Sequence, residues 1–177
     1  QDQARGLAQL LPEGVRVRYG IFDGDTPAQD RGEIRRSSQI ILTNPDMLHV
    51  GILPNHRAWY HVLRSLRYVV IDEAHVYRGV FGSHVANVLR RLRRICQRLG
   101  CRPQFILCSA TIANPGEHAQ RLVGLPFRVV DEDGSPYGGK DFLFWNPPMI
   151  DLARGSRRSS HSEAVLIFAE LLRRHVR

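Results

Sequence analysis

At 177 residues and 43% hydrophobic content the chain can bury a substantial core, which excludes disordered and fibrous classes. Three cysteines with no Cys-x-x-Cys pair exclude a disulfide framework and zinc spacing, so Cys96, Cys101 and Cys108 are expected as buried thiols. The formal charge of +8, with arginine groups at Arg35-Arg36, Arg90 to Arg94, Arg157-Arg158 and Arg173-Arg174, suits phosphate-bearing partners; a solvated helix face is the plainer reading of the Arg90 to Arg94 group.

The chain opens without methionine inside a helical pattern, Gln3 to Leu11, and is expected to be a fragment of a longer protein. It begins with no signal-peptide pattern, and no run approaches the roughly 18–20 apolar residues of a membrane span. A soluble intracellular protein is the expectation, cytoplasmic, or nuclear in a eukaryote.

Strand-like and helix-like segments then alternate, as in repeated βαβ units with a mostly parallel sheet. The predicted strands are Val15 to Phe22, Gln39 to Leu42, Tyr68 to Ile71, Gln104 to Cys108, Phe127 to Val130 and Phe142 to Trp145. Val69-Val70-Ile71 and Phe105-Ile106-Leu107 are unbroken apolar runs, as expected of central strands covered on both faces. Between Ser83 and Leu99 the period becomes helical: Val85, Val88, Leu89, Leu92, Ile95, Cys96 and Leu99 form one stripe, and arginines take the other faces. From Pro147 to Ser160 the composition shifts to Pro, Gly, Ser and Arg, predicting a linker. A last helix, Ser162 to His175, carries an apolar stripe of Ala164, Val165, Phe168, Leu171 and Leu172 with no further sheet to cover.

Chemistry concentrates at strand ends. Tyr68 to Ile71 delivers Asp72 and Glu73 to the end of an open α/β sheet that faces the ligand crevice. Paired carboxylates there suit nucleotide hydrolysis, Asp72 for the Mg²⁺ that bridges phosphates and Glu73 for the attacking water, while His75 is placed to relay that state to a neighbouring element. Gln104 to Cys108 ends in Ser109-Ala110-Thr111, whose hydroxyls can hydrogen-bond the carboxylate or histidine next to them. Ile40-Ile41-Leu42 runs into Thr43-Asn44-Pro45-Asp46, with Asn44 as helix cap and Pro45 at the first helical position, a start suited to a nucleic-acid phosphate. Gly134 to Asp141 imitates a Gly-x-x-x-x-Gly-Lys-Ser/Thr phosphate loop, but Asp141 replaces the hydroxyl and the segment follows Thr111 and leads into a predicted strand, so it is read as a turn. Trp59, Trp145 and Tyr137 are weighed as stacking platforms and assigned to packing or ordinary surface. His49, His56, His61 and His84 lack metal-ligand spacing.

Thr43-Asn44-Pro45-Asp46, Asp72-Glu73-Ala74-His75 and Ser109-Ala110-Thr111, each after an apolar strand and in this order, resemble motifs Ib, II and III of superfamily 2 helicases. Phe22 to Pro27, Tyr77 to His84 and Ser109 to Pro115 look like the DEAH-type branch containing mitomycin repair factor A and the yeast RecQ-four-like helicases. The resemblance spans about Gln1 to Pro148. It implies a RecA-like P-loop NTPase fold, a three-layer α/β sandwich with a mostly parallel central sheet, incomplete at the N-terminus and lacking motif I. Residues 1–147 would be the partial first lobe, 148–161 a linker and 162–177 the opening helix of a second lobe. It further implies catalytic roles for Asp72, Glu73 and His75, with Asp72 on Mg²⁺, and coupling between ATP and nucleic acid through Ser109, Ala110 and Thr111. Gly24, Thr26, Thr43, Asn44 and Asp46 would contact the strand's backbone. The implied activity is an ATP-dependent DNA helicase or translocase, using ATP and Mg²⁺ on single-stranded or partly duplex DNA and serving DNA repair, inactive as the isolated fragment. A non-hydrolytic nucleic-acid-binding module and a DEAH motor acting on RNA are the alternatives.

Overall fold

The computed structural model describes residues 5, 6, 9, 17–132, 134, 138, 139 and 141–174. The chain divides into two units, Gln1–Asp131 and Glu132–Arg177. Most of the opening helical pattern, the start of the first predicted strand, and much of the Gly134 to Asp141 turn with Tyr137 lie outside the described residues.

In the first unit, β1 (Tyr19–Phe22) pairs in parallel with β2 (Ile40–Thr43), Tyr19 opposite Ile40 and Phe22 opposite Thr43, with α1 (Ala28–Ser37) as the crossover. After β2 come α2 (Pro45–Met47), a π turn over Leu48–Ile52, and α3 (Tyr60–Arg64). The second parallel pair is β3 (Tyr68–Ile71) with β4 (Gln104–Leu107), joined through a 3₁₀ turn (Ala74–Val76) and the long α4 (Gly79–Arg98); α5 (Pro115–Val123) follows. Parallel strands need such crossovers, because a short hairpin reverses direction. Among the described residues the two pairs form separate two-stranded ladders within an α/β unit.

The helix α4 joins two cores. Its Val88, Leu92 and Cys96 pack with Phe22, Met47, Leu53, Trp59 and Leu63, and its Val85, Ala86 and Leu89 pack with Ile71, Phe105, Leu122 and Val123. The predicted stripe is therefore the buried face, with Ile95 and Leu99 half-buried at its edge. Trp59 is 3% exposed and meets Phe22 edge-on at 4.7 Å, so it is a core residue and not a stacking platform.

Three expectations are corrected. On β3 and β4, Ile71 and Phe105 are buried whereas Tyr68, Val70 and Ile106 are 59%, 62% and 40% exposed, so this ladder is covered on one face only. Phe127 to Val130 and Phe142 to Trp145 form no strand, since an apolar run becomes one only where a neighbour completes its backbone ladder. Within the segment read as a linker, β5 (Met149–Asp151) pairs with β6 (Ser156–Arg157) in an antiparallel hairpin. Third among the cysteines, Cys108 is exposed.

In the second unit, α6 (Ser160–Arg173) starts two residues early because the Ser159 hydroxyl accepts a hydrogen bond from the Ser162 amide. Its Val165, Phe168, Leu171 and Leu172 are exposed, as the unmatched stripe predicts. Glu163 is buried and engages both carboxylate oxygens, one with Arg158 and one with the indole N–H of Trp145, at 2.8 and 2.9 Å. No helix among the described residues is long and apolar enough to cross a membrane.

Burial, and then the neighbouring Cys101, push the Cys96 thiol up to about 12. A thiol held above its ordinary value favours the fold fully below that value and loses the contribution as pH rises toward about 12. Thiol alkylation at mildly alkaline pH is expected to modify Cys108 quickly and spare Cys96 until denaturant is added; peptide mass spectrometry reads the order.

Candidate functional site

Strand register places the site. With Ile71 opposite Leu107, the Cys108 amide donates to Ile71 O and the Ala74 amide donates to Cys108 O, both at 2.9 Å. Asp72 to His75 and Ser109 to Thr111 therefore leave their strands side by side, at the carboxyl end where α/β sheets bind ligands.

The turn itself is strained. Glu73 has φ 49° and ψ 40°, the one left-handed non-glycine among the described residues. A side chain there is disfavoured by about 1–2 kcal/mol and persists where surroundings over-determine it, as at functional sites. The Glu73 amide is held by Asp72 Oδ1 at 2.9 Å, and the Glu73 side chain remains 65% exposed. Two acceptor-only carboxylates thus stand at an open mouth. They are a hard oxygen set of the kind that would hold Mg²⁺. No cluster of three or more ligating side chains occurs among the described residues.

His75 lies between two partners. Its Nδ1 is 3.2 Å from Glu73 Oε2 and accepts from the Ala110 amide at 3.3 Å. An amide only donates and a carboxylate only accepts, so Nδ1 cannot satisfy both at once. Unprotonated, it takes Ala110; carrying a proton, it takes Glu73. Beside the backbone bond from Ala74 to Cys108, the side-chain link between the two strand ends is therefore a backbone amide on an imidazole, and not the hydroxyl contact expected: Ser109 Oγ donates to its neighbour Ala110 O at 2.8 Å, and Thr111 is exposed.

Two further residues support the turn without any spacing signal in the sequence. His118, on α5, donates from Nε2 to Ala74 O at 2.8 Å, clamping the turn to the next helix. The Tyr77 amide donates to Ala74 O at 3.2 Å, and burial, then the negative charge of Asp72, hold its phenol above its ordinary value. Only the coincidence of a histidine with the first helix after Ser109 to Thr111 hinted at the clamp.

The β1–β2 ladder presents the other candidates. Because Phe22 pairs with Thr43, the loop of residues 23–26 and the start of α2 emerge at one end. Asn44 caps α2 as expected: its Oδ1 accepts from the Met47 amide at 2.8 Å, and Pro45 occupies the first turn. Thr43, Asn44 and Asp46 are exposed, as is Gly24, with no atom within 4 Å of where a side chain would begin. Thr26 differs. It is 9% exposed, and its hydroxyl is engaged with Ile21 O at 3.0 Å, Asp23 Oδ1 at 2.9 Å and the Asp23 amide at 2.9 Å. Arg31 closes the loop further, donating to Thr26 O at 3.0 Å above the Phe22 ring. Thr26 shapes the loop and has no hydroxyl left over for a strand.

A family model described as DEAD/DEAH box helicase matches residues 1–118. The chain is 48% identical, over 99% of its length, to an uncharacterized ATP-dependent helicase YprA of Bacillus subtilis, and 43% identical over 100% of its length to the ATP-dependent helicase hrq1 of Schizosaccharomyces pombe. It spans 24% and 17% of those proteins. Among solved structures it is similar to the DUF1998 helicase MrfA bound to DNA, with a TM-score of 0.89 and 48% identity over 97% of this chain and 23% of that one. MrfA with DNA and AMPPNP gives a TM-score of 0.87. An acidic pair at the mouth of a parallel strand, tied through a histidine to the neighbouring strand end, accompanies these likenesses, and the chain belongs to the DEAD/DEAH box helicases.

Proposed function

We propose that the chain is part of the first motor lobe of an ATP-dependent DNA helicase, and that α6 opens a second lobe in the longer protein. The observation that carries this reading is the shared mouth of β3 and β4, where Asp72 and Glu73 stand within one histidine of Ala110. The relatives' names and the DNA-bound MrfA structures support DNA as the track. The unit break at Asp131 and the exposed stripe of α6 support assigning that helix elsewhere.

Each residue then has a task. Glu73 orients a water toward the γ-phosphate and takes its proton as the new P–O bond forms and the bond to the β–γ bridging oxygen breaks, releasing ADP and phosphate. Asp72 would hold Mg²⁺, which when bound neutralises charge on the phosphates. His75 senses the proton on Glu73 and answers through the Ala110 amide, shifting the strand end that bears Ser109 and Thr111. Thr43, Asn44, Asp46 and Gly24 contact sugar and phosphate, fixing register without reading bases. Hydrolysis thereby alternates grip and release on the strand.

The full-length protein tests this. Its Mg-ATP turnover is expected to rise severalfold or more with single-stranded DNA, and a labelled strand is expected to leave a tailed duplex only when ATP is present. Turnover indifferent to DNA would sink the reading.

A further inference from the structure

Between Ala74 and Gly116 the chain contains no Asp or Glu, yet it carries Arg78, Arg90, Arg91, Arg93, Arg94, Arg98 and Arg102. A solvated helix face ordinarily sets acids four residues from its arginines; here Arg90, Arg94 and Arg98 repeat like charge at that spacing, which disfavours the helix. Two of the seven are tied to α5. Arg90 donates to Arg121 O at 3.0 Å, and Arg93 donates to Val123 O and Gly124 O at 2.9 Å each, neutralising the carboxyl end of α5. Arg94, Arg98 and Arg102 make no hydrogen bond or ion pair among the described residues, and Arg94 and Arg102 are exposed.

Arg94 and Arg102 do not sit on a convex surface. One depression is lined by Arg94, Gln97, Arg102 and Leu125, a second by Arg78, Ser83 and Arg121, and both by Asn87 and Arg90, so they run together along α4. That helix has 20 residues, about 30 Å at 1.5 Å per residue. At its flank, Arg91 Nη1 lies 2.6 Å from His49 Nδ1, in the π turn that continues the Asn44-capped helix. The basic trough therefore adjoins the loop assigned above to strand contact.

We propose that this trough is a second phosphate-backbone site, which receives a single strand of nucleic acid as it leaves the Thr43 to Asp46 loop. The inference rests on that loop's proposed role and extends the track across Arg91 to Arg94 and Arg102. The favoured occupant is a polynucleotide because the trough is continuous with the loop; an acidic protein segment would need no such continuity.

In the full-length protein, Arg94→Glu with Arg102→Glu is to be compared with wild type by fluorescence anisotropy on labelled oligothymidylates. A strand of roughly 30 nucleotides is expected to bind about tenfold or more weakly, and its slope of log affinity against log salt to shrink by about 1.4, or about 0.7 for each phosphate that an arginine no longer neutralises. A strand of about eight nucleotides, which fits within the Thr43 to Asp46 face, is expected to keep its affinity. The pair Arg94→Lys and Arg102→Lys, which keeps charge, should hold the long strand within about threefold. Wild-type affinity and slope on the long strand in the Glu variant overturn the proposal and leave an acidic protein as the better occupant; equal losses at both lengths overturn it as well. If wild type binds neither strand and DNA does not stimulate its ATP turnover, the helicase reading itself has failed.

Discussion

Full-length protein carrying Glu73→Gln is expected to lose ATP turnover by about 10²–10⁴-fold while binding nucleotide nearly as well as wild type. The substitution keeps the size of the side chain and the backbone amide held by Asp72 Oδ1. It also keeps the left-handed turn, since nothing about an amide alters φ at that residue. What disappears is a proton acceptor at the mouth of β3. On the proposed roles, nucleotide affinity would depend on phosphate contacts and on Mg²⁺ held by Asp72, both of which the variant would retain. Phosphate release under saturating ATP reads the first quantity, and equilibrium binding of a labelled nucleotide reads the second. Turnover near wild type would move the base to another residue.

The second large effect is on stability. Gly82 lies in the first turn of α4, and a Cβ built there would stand 2.5 Å from the Tyr77 carbonyl carbon and closer still to its oxygen. Both are backbone atoms, and they belong to the segment that leads from the Asp72 to His75 turn into α4. Gly82→Ala is expected to destabilise the lobe by about 1–3 kcal/mol, the overpacking penalty outweighing the roughly 1 kcal/mol that alanine gains in helix propensity. The thermal midpoint falls by several degrees, at about 2–4 °C per kcal/mol for a domain of this size. Relief by movement of Tyr77 would disturb its amide bond to Ala74 O in the turn that follows Asp72 and Glu73, so DNA-stimulated turnover is expected to fall with the midpoint. An unchanged midpoint, measured by calorimetry, would show that the α4 entry is looser than its contacts imply.

Features set by local chemistry could be read from the residues alone. Tyr68 to Ile71 ends where a run of β-formers meets two acids, and α4 follows its apolar stripe. Asn44 caps because its side chain is the right length, and Pro45 follows because a first-turn proline forgoes no hydrogen bond. Features set by partners far along the chain could not. The His118 contact with Ala74 joins residues 44 apart with no repeating pattern between them. The Ala110 amide on His75 is a backbone donor, invisible in residue type, so residue chemistry pointed first to the hydroxyls of Ser109 and Thr111 for a contact that the backbone makes. Thr26 has the composition of an exposed contact and is turned inward by Asp23 and Ile21. Phe142 to Trp145 has strand composition and no ladder partner among the described residues, whereas the polar Ser156 and Arg157 acquire one from Met149 to Asp151.

Everything proposed for the motor requires coupling between the two strand ends through His75. The decisive measurement is the ratio of ATP turnover with and without single-stranded DNA in full-length protein carrying His75→Ala. A ratio close to one, where wild type stands well above it, is the expected result. A ratio equal to wild type would mean that the imidazole between Glu73 and Ala110 carries no signal.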